Sequence, residues 1–176
     1  MAQAVRPGDT VVDATMGNGH DTLILARLVG DSGLVHAFDV QQQAVESTRK
    51  LLSENGLLHR VQLHLCGHEH MVEQVAAPLR LVCFNLGWLP GSDKRVRTLW
   101  PTTREALIGA LRLLAPLGCA TVCAYPGHKE GREELEALVA FLSQLAPQRY
   151  NVLHQRFLNA GPGAPECFVI QKQGQL

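Results

Sequence analysis

Short apolar runs alternate with longer amphipathic ones along the chain. Thr10 to Asp13 is a brief apolar run, followed by a glycine-containing turn and by Thr22 to Val29, whose length and apolar content suit a buried helix. Leu34 to Phe38 reads as a second strand ending at Asp39. Gln42 to Asn55 then gathers Ala44, Val45, Thr48, Leu51 and Leu52 on one helical face and stops at Gly56. Arg60 to Leu65 alternates as a strand does, His68 to Ala76 fits a short helix, and Leu79 to Leu86 is the nearly all-apolar run of a strand buried on both faces. Thr102 to Leu114 is amphipathic, with Pro116 and Gly118 as its stop. Cys119 to Tyr125 reads as another buried strand, and Glu130 to Leu145 as a helix with acids in its first turns. Tyr150 to Leu158 and Cys167 to Gln171 are the last strand candidates. The link between them, Asn159 to Pro165, is too short for a crossover helix, so these two are expected to pair antiparallel. The pattern predicts an α/β fold: a mostly parallel sheet of about seven strands, covered on both faces and closed by an antiparallel hairpin.

Length and charge narrow this picture. At 176 residues, 46% hydrophobic and 18% charged, the chain suffices for about one domain, expected to span residues 1–176. Sixteen basic and sixteen acidic side chains cancel, which excludes a wholesale nucleic-acid coat and leaves RNA binding only to a local patch. No apolar run approaches the ~20 residues of a membrane span, and the first residues lack the pattern of a signal peptide, so no membrane partner is expected and a cytoplasmic location is. The five cysteines, Cys66, Cys83, Cys119, Cys123 and Cys167, are odd in number and lack C-x-x-C spacing, which argues against a disulfide framework. His64, His68 and His70 cluster without a metal-binding motif, so no metal is expected.

In an open α/β sheet, ligands bind beyond the carboxyl ends of the strands, where strand order reverses. The polar residues register with those ends: Asp13 to Asp21 after strand one, Asp39 after strand two, Cys66 to His68 after strand three, Asn85 to Trp88 after strand four, and Tyr125 to His128 after strand five. Gly17 and Gly19 let the backbone approach a ligand closely, though a tight turn alone would also use them. Asp39, about twenty residues on, is placed to accept both hydroxyls of a ribose. Thr22 stands where a dinucleotide site has its third glycine, and Asp13 would repel a pyrophosphate; both features favour S-adenosylmethionine over NAD, although Asp13 could equally cap its own turn. His68 stands where an adenine contact could be, or at a helix start.

Asn85-Leu86-Gly87-Trp88 has the layout Asn, two spacers, aromatic, like the Asn/Asp-Pro-Pro-aromatic loop of amino-methyltransferases. An Asn side-chain carbonyl with the Leu86 backbone carbonyl can accept an amine's N–H groups and aim its lone pair, while Trp88 packs on a planar base. The same segment could be only a strand-terminal turn. Lys94, Arg95, Arg97 and Arg104 follow as a local cationic patch suited to phosphates, or as a solvated loop. His128 could contact substrate, relay a proton, or cap a helix.

The strings Val12 to Thr22, Phe38 to Gln41, Phe84 to Lys94 and Tyr125 to His128 resemble the small bacterial "putative rRNA methylase" family of the MnmM (YtqB) type, over roughly residues 8–172. The resemblance implies a class I, Rossmann-like methyltransferase in three layers that uses S-adenosylmethionine. It further implies methylation of the aminomethyl nitrogen of 5-aminomethyl-(2-thio)uridine at the tRNA wobble position. Onto this sequence it carries Asp13, Thr15, Gly17, Asn18, Gly19, Asp21, Thr22, Asp39 and Gln41 as cofactor residues, joined by His68 from the end of strand three. Asn85, Leu86 and Trp88 become catalytic residues, and Lys94 and His128 substrate residues, joined by Arg95 and Arg97 from the cationic patch. The chain departs from the family by having few residues before Pro7 and by Asn159-Ala160 and Ala164-Pro165 in the last hairpin. The anticodon stem-loop of tRNA is the partner implied, and a homodimer is compatible with the sequence. The alternatives are methyl transfer to rRNA or to a small amine, and a non-catalytic subunit that binds the cofactor or a nucleotide.

Overall fold

A computed structural model describes residues 4–75, 78–89, 91, 95–161 and 163–174. Seven strands form one sheet: β1 (Thr10–Asp13), β2 (Leu34–Asp39), β3 (Val61–Leu65), β4 (Leu79–Asn85), β5 (Leu114–Ala124), β6 (Tyr150–Gln155) and β7 (Glu166–Lys172). Among the described residues five α-helices accompany them: α1 (His20–Val29), α2 (Gln42–Glu54), α3 (Met71–Gln74), α4 (Trp100–Leu113) and α5 (Lys129–Ser143). The spatial order is β3-β2-β1-β4-β5-β7-β6. β1 to β5 pair in parallel, whereas β7 runs antiparallel to both β5 and β6. The order reverses between β1 and β4, and a ligand crevice belongs at their carboxyl ends.

Period-two alternation divides the core between the two faces. Val12, Val82 and Phe84 point to the cluster containing Leu107 of α4 and Leu138 of α5, while their neighbours Val11, Leu81 and Cys83 point to the one containing Leu25 of α1 and Leu52 of α2. Every one of these residues is at least 98% buried. Both faces of the central strands therefore need apolar side chains, which is why they read as unbroken apolar runs.

The boundary between α4 and β5 differs from the sequence expectation. Pro116 and Gly118 do not form a stop ahead of a strand at Cys119. Strand pairing starts at Leu114, opposite Leu79, and resumes with Leu81 opposite Cys119, so residues 115–118 bulge out within β5. A proline without an N–H is tolerated at such a bulge. A side chain on Gly118 would lie 2.8 Å from the Leu79 carbonyl. The bulge also holds Leu117 at φ 61, the one left-handed non-glycine among the described residues. The remaining helices and strands fall within a few residues of their expected positions. The His68 to Ala76 helix is shorter: a 3-10 turn at His68–His70 leads into the four-residue α3, and Ala76 lies outside the described residues.

Candidate active site

The turn after β1 is built by glycines and closed from below by Asp13. Gly17 and Gly19 both adopt left-handed backbone, at φ 51 and φ 83. Asp13 is fully buried; its carboxylate accepts the Thr22 hydroxyl at 2.6 Å and the Thr15 N–H at 3.2 Å. Burial pushes its pKa up to about 6, against the lowering effect of those two hydrogen bonds. Asp13 thus ties the first turn of α1 to the strand end. The Asp39 carboxylate accepts the N–H groups of Gly17, at 3.1 Å, and Gln41, at 3.0 Å. Burial raises its pKa as well, and the backbone donors partly offset that.

At the switch point these elements surround a cavity of about 300 Å³, at the lower end of the roughly 300–1,000 Å³ usual for small-molecule sites. Thr15, Gly17, Asp39, Gln41, His68 and Glu69 line it, together with Asn85, Trp88 and Arg97. His68 is 7% exposed and its Nδ1 lies 3.2 Å from the Ala14 carbonyl, an acceptor only, so Nδ1 carries the proton and Nε2 keeps its lone pair. Burial lowers the His68 pKa, which holds the ring neutral.

Asn85 is fixed at both backbone and side chain. Its backbone N–H donates to the Thr15 hydroxyl at 2.8 Å, and its side-chain NH2 donates to Asp21 Oδ2 at 2.7 Å. The Leu86 N–H donates to the Cys123 carbonyl at 2.8 Å, while the Leu86 side chain sits in the core. Beyond Gly87, a β-bridge pairs Trp88 with Arg97. The Gly87 N–H donates to the Thr98 hydroxyl, and the Thr98 N–H donates back to the Gly87 carbonyl, each at 2.8 Å. The Thr98 and Thr103 hydroxyls in turn donate to Glu134, at 2.9 and 2.8 Å. Glu134 is a buried acid whose pKa burial raises, and through Thr98 it ties the cavity wall to α5.

The sequence candidates separate accordingly. Thr15, Gly17, Asp39, Gln41, His68, Asn85, Trp88 and Arg97 meet at the cavity. Asp13 and Thr22 form the buried pair beneath it, Gly19 packs on Thr48, and Asn18 is exposed. Asp21 stands behind Asn85, and Arg95 is exposed on the loop. His128 does not line the cavity: its Nδ1 accepts the Gly131 N–H at 3.0 Å as the cap of α5, and its ring rests on Trp88 at 4.5 Å between centroids. Arg97 pairs with Glu130 at 3.2 Å. Lys94 lies outside the described residues. Sequence reasoning missed Glu69, Thr98, Thr103 and Glu134; only Glu134 carried a signal, because it shares a helical face with Leu138 and Leu142. Among the described residues, no group of three His, Cys, Asp or Glu is arranged to hold a metal ion, and no helix is long and apolar enough to cross a membrane. All five cysteines are free.

This sheet order, with its crevice between β1 and β4, is the fold of class I methyltransferases. The chain belongs to the family described as "Putative rRNA methylase", whose model matches residues 35–171. It is 40% identical to an rRNA methylase of that description from Clostridium thermocellum, with a TM-score of 0.96 over 97% of this chain and 92% of the other. A methyltransferase from Streptococcus mutans, solved in complex with SAH, is 35% identical with a TM-score of 0.89, over 97% of this chain and 92% of the other. An Arabidopsis thaliana protein named tRNA (mnm(5)s(2)U34)-methyltransferase, chloroplastic, is 45% identical over 97% of this chain, which spans 66% of that relative's length. With such relatives, the protein is an S-adenosylmethionine-dependent methyltransferase.

Proposed function

We propose that the protein methylates the exocyclic aminomethyl nitrogen of 5-aminomethyl-(2-thio)uridine at the wobble position of tRNA, and that the chain acts as one catalytic domain. The observation that carries this reading is Asn85: its NH2 is spent on Asp21 inside the fold, so its side-chain oxygen remains to accept an amine N–H beside Trp88 in the same cavity. The name of the Arabidopsis thaliana relative supports the tRNA substrate.

The residues present fit the cofactor. Asp39 has lone pairs left after its two backbone bonds and suits vicinal hydroxyls. Neutral His68 offers Nε2 to an exocyclic amine, and the Gly17 turn leaves room for backbone contact, since a Cβ there would meet the end of Leu89 at 3.3 Å and the Thr15 carbonyl at 3.9 Å. When bound, S-adenosylmethionine supplies an electrophilic methyl on a sulfonium, with a neutral thioether as leaving group. The amine lone pair would form the N–C bond as the C–S pair stayed on sulfur, and the extra proton on nitrogen would depart to solvent. Asn85 accepts one N–H and so aims the lone pair, and Trp88 stacks the base. Positioning carries most of the barrier reduction, because little acid–base work is required.

The test is in vitro methylation of tRNA bearing 5-aminomethyl-uridine, read by nucleoside mass spectrometry, with rRNA and free alkylamines in parallel. Methyl-aminomethyl uridine should form with wild type and fall at least about tenfold with Asn85→Ala. Turnover on rRNA or free amines alone, or cofactor binding without any turnover, would refute the substrate assignment.

A further inference from the structure

We infer that Asp21 is a positioning residue for the acceptor amine, acting through Asn85 and not through the cofactor; this rests on the acceptor role proposed for Asn85. Asp21 lies in the first turn of α1 and is half-buried. It is absent from the cavity wall that holds Thr15, Gly17 and Asp39. Its Oδ2 accepts the Asn85 NH2 at 2.7 Å across 64 residues of sequence.

A side-chain amide is nearly symmetric in shape and opposite in polarity at its two ends. Unrestrained, Asn85 could turn its NH2 toward the cavity, where two N–H donors would confront the N–H groups of the incoming amine and leave the lone pair unaimed. A carboxylate offers acceptors only, so Asp21 fixes the flip state: NH2 inward to α1, oxygen outward to substrate. The Thr15 hydroxyl, which accepts the Asn85 backbone N–H at 2.8 Å, keeps the residue from shifting along the strand while its amide is held. Two elements that meet at the switch point thus orient one acceptor oxygen. The location of Asp21 at a helix N-terminus also suits its charge, which lets α1 carry this carboxylate at little cost.

Three variants separate the roles. Asp21→Ala should lower kcat about tenfold or more and leave the SAH dissociation constant within about twofold of wild type, because only the amide orientation is lost. Asp21→Asn, which can still present a carbonyl oxygen to Asn85, should recover most of kcat. A parallel weakening of SAH binding in Asp21→Ala would place Asp21 on the cofactor, and an Asp21→Asn variant as slow as Asp21→Ala would make its charge the essential feature; either overturns the inference. A readout free of substrate is the side-chain NH2 signal of Asn85 in a nitrogen–proton NMR spectrum, assigned by its loss in Asn85→Ala. That signal should exchange slowly in wild type and at least about tenfold faster in Asp21→Ala. Unchanged exchange overturns the inference even if tRNA proves to be the wrong substrate, whereas the expected acceleration in Asp21→Ala with no tRNA turnover refutes only the substrate.

Discussion

Gly17 and Gly19 look alike in sequence and both adopt left-handed backbone, but they should respond very differently to alanine. At Gly17 a Cβ would meet the flexible end of Leu89 at 3.3 Å, so Gly17→Ala bears little beyond the left-handed penalty of about 1–2 kcal/mol. At Gly19 the same Cβ would lie 2.7 Å from the Thr48 hydroxyl, 2.9 Å from its methyl and 3.0 Å from its Cα. Backbone stands among those obstacles, so α2 itself must shift, at about 1–3 kcal/mol beyond the conformational term. The displacement also strains the 3.1 Å bond from the Thr48 hydroxyl to the Gly17 carbonyl, at about 1 kcal/mol. Gly19→Ala should therefore cost about 3–6 kcal/mol and Gly17→Ala about 1–2. In a 176-residue protein, at about 2–4 °C per kcal/mol, Tm should fall on the order of 10 °C in the first case and 4 °C in the second. Thermal unfolding without ligand measures both, and a Thr48→Ala background should return part of the Gly19→Ala loss by removing the hydroxyl and methyl. Equal melting temperatures for the two glycine variants, or additive behaviour with Thr48→Ala, would refute the packing argument.

Asp39→Ala should weaken SAH binding at least about tenfold by calorimetry, and undiminished affinity would remove Asp39 from the cofactor site. Asp13 sets a pH dependence. Its folded pKa of about 6 exceeds its ordinary 3.8, so the native state holds the extra proton and stability falls as pH rises from about 4 to 6, by about 3 kcal/mol in total. The difference in unfolding free energy between wild type and Asp13→Asn should follow that slope and flatten above about pH 6; a constant difference across the range would contradict the assignment. His128→Ala should lose the α5 cap, about 1 kcal/mol, and raise the KM for the proposed tRNA substrate by loosening Trp88, whereas His128→Asn keeps the cap and should restore only stability. Glu130→Gln should free Arg97, lower the KM for that proposed substrate and steepen its salt dependence by about one counterion; an unchanged salt slope would show that Arg97 serves only to hold the loop.

Reading the sheet from the sequence succeeded where burial on two faces left unbroken apolar runs, as in Leu79–Asn85, and where loop length forced an antiparallel pairing, as between Tyr150–Gln155 and Glu166–Lys172. It failed at residues 115–118, because Pro116 and Gly118 carry the composition of a stop while the parallel partner Leu79 captures Leu114 as soon as the helix ends. Local composition cannot report that competition. The site was legible to the same extent: residues at strand ends, Asp39, His68 and Asn85, are placed by the topology alone and do line the cavity. Residues whose role depends on a partner distant in sequence were not. Nothing in the phase of Asp21 or of Arg97 announces Asn85 or Glu130, so the sequence offered Asp21 as a cofactor residue and Arg97 as part of a phosphate-binding patch without either partner in view.

Five charged groups at and beneath the cavity share one property that bears on mechanism. Asp13 is tied to Thr22 and Thr15, Asp39 to two backbone N–H groups, Asp21 to Asn85, Glu134 to two hydroxyls, and Arg97 to Glu130. A general acid or base must exchange its proton with substrate, and a carboxylate already committed to fixed donors resists that exchange. Groups committed in this way are suited to hold geometry, and methyl transfer to an amine needs geometry: a lone pair in line with a carbon whose leaving group departs neutral. With these four carboxylates committed, the proton released from nitrogen is expected to leave to solvent. It follows that kcat should track the ionisation of the substrate amine across neutral pH, shifting with the pKa of the amine offered, and that no single variant of Asp13, Asp39, Asp21 or Glu134 should displace that profile.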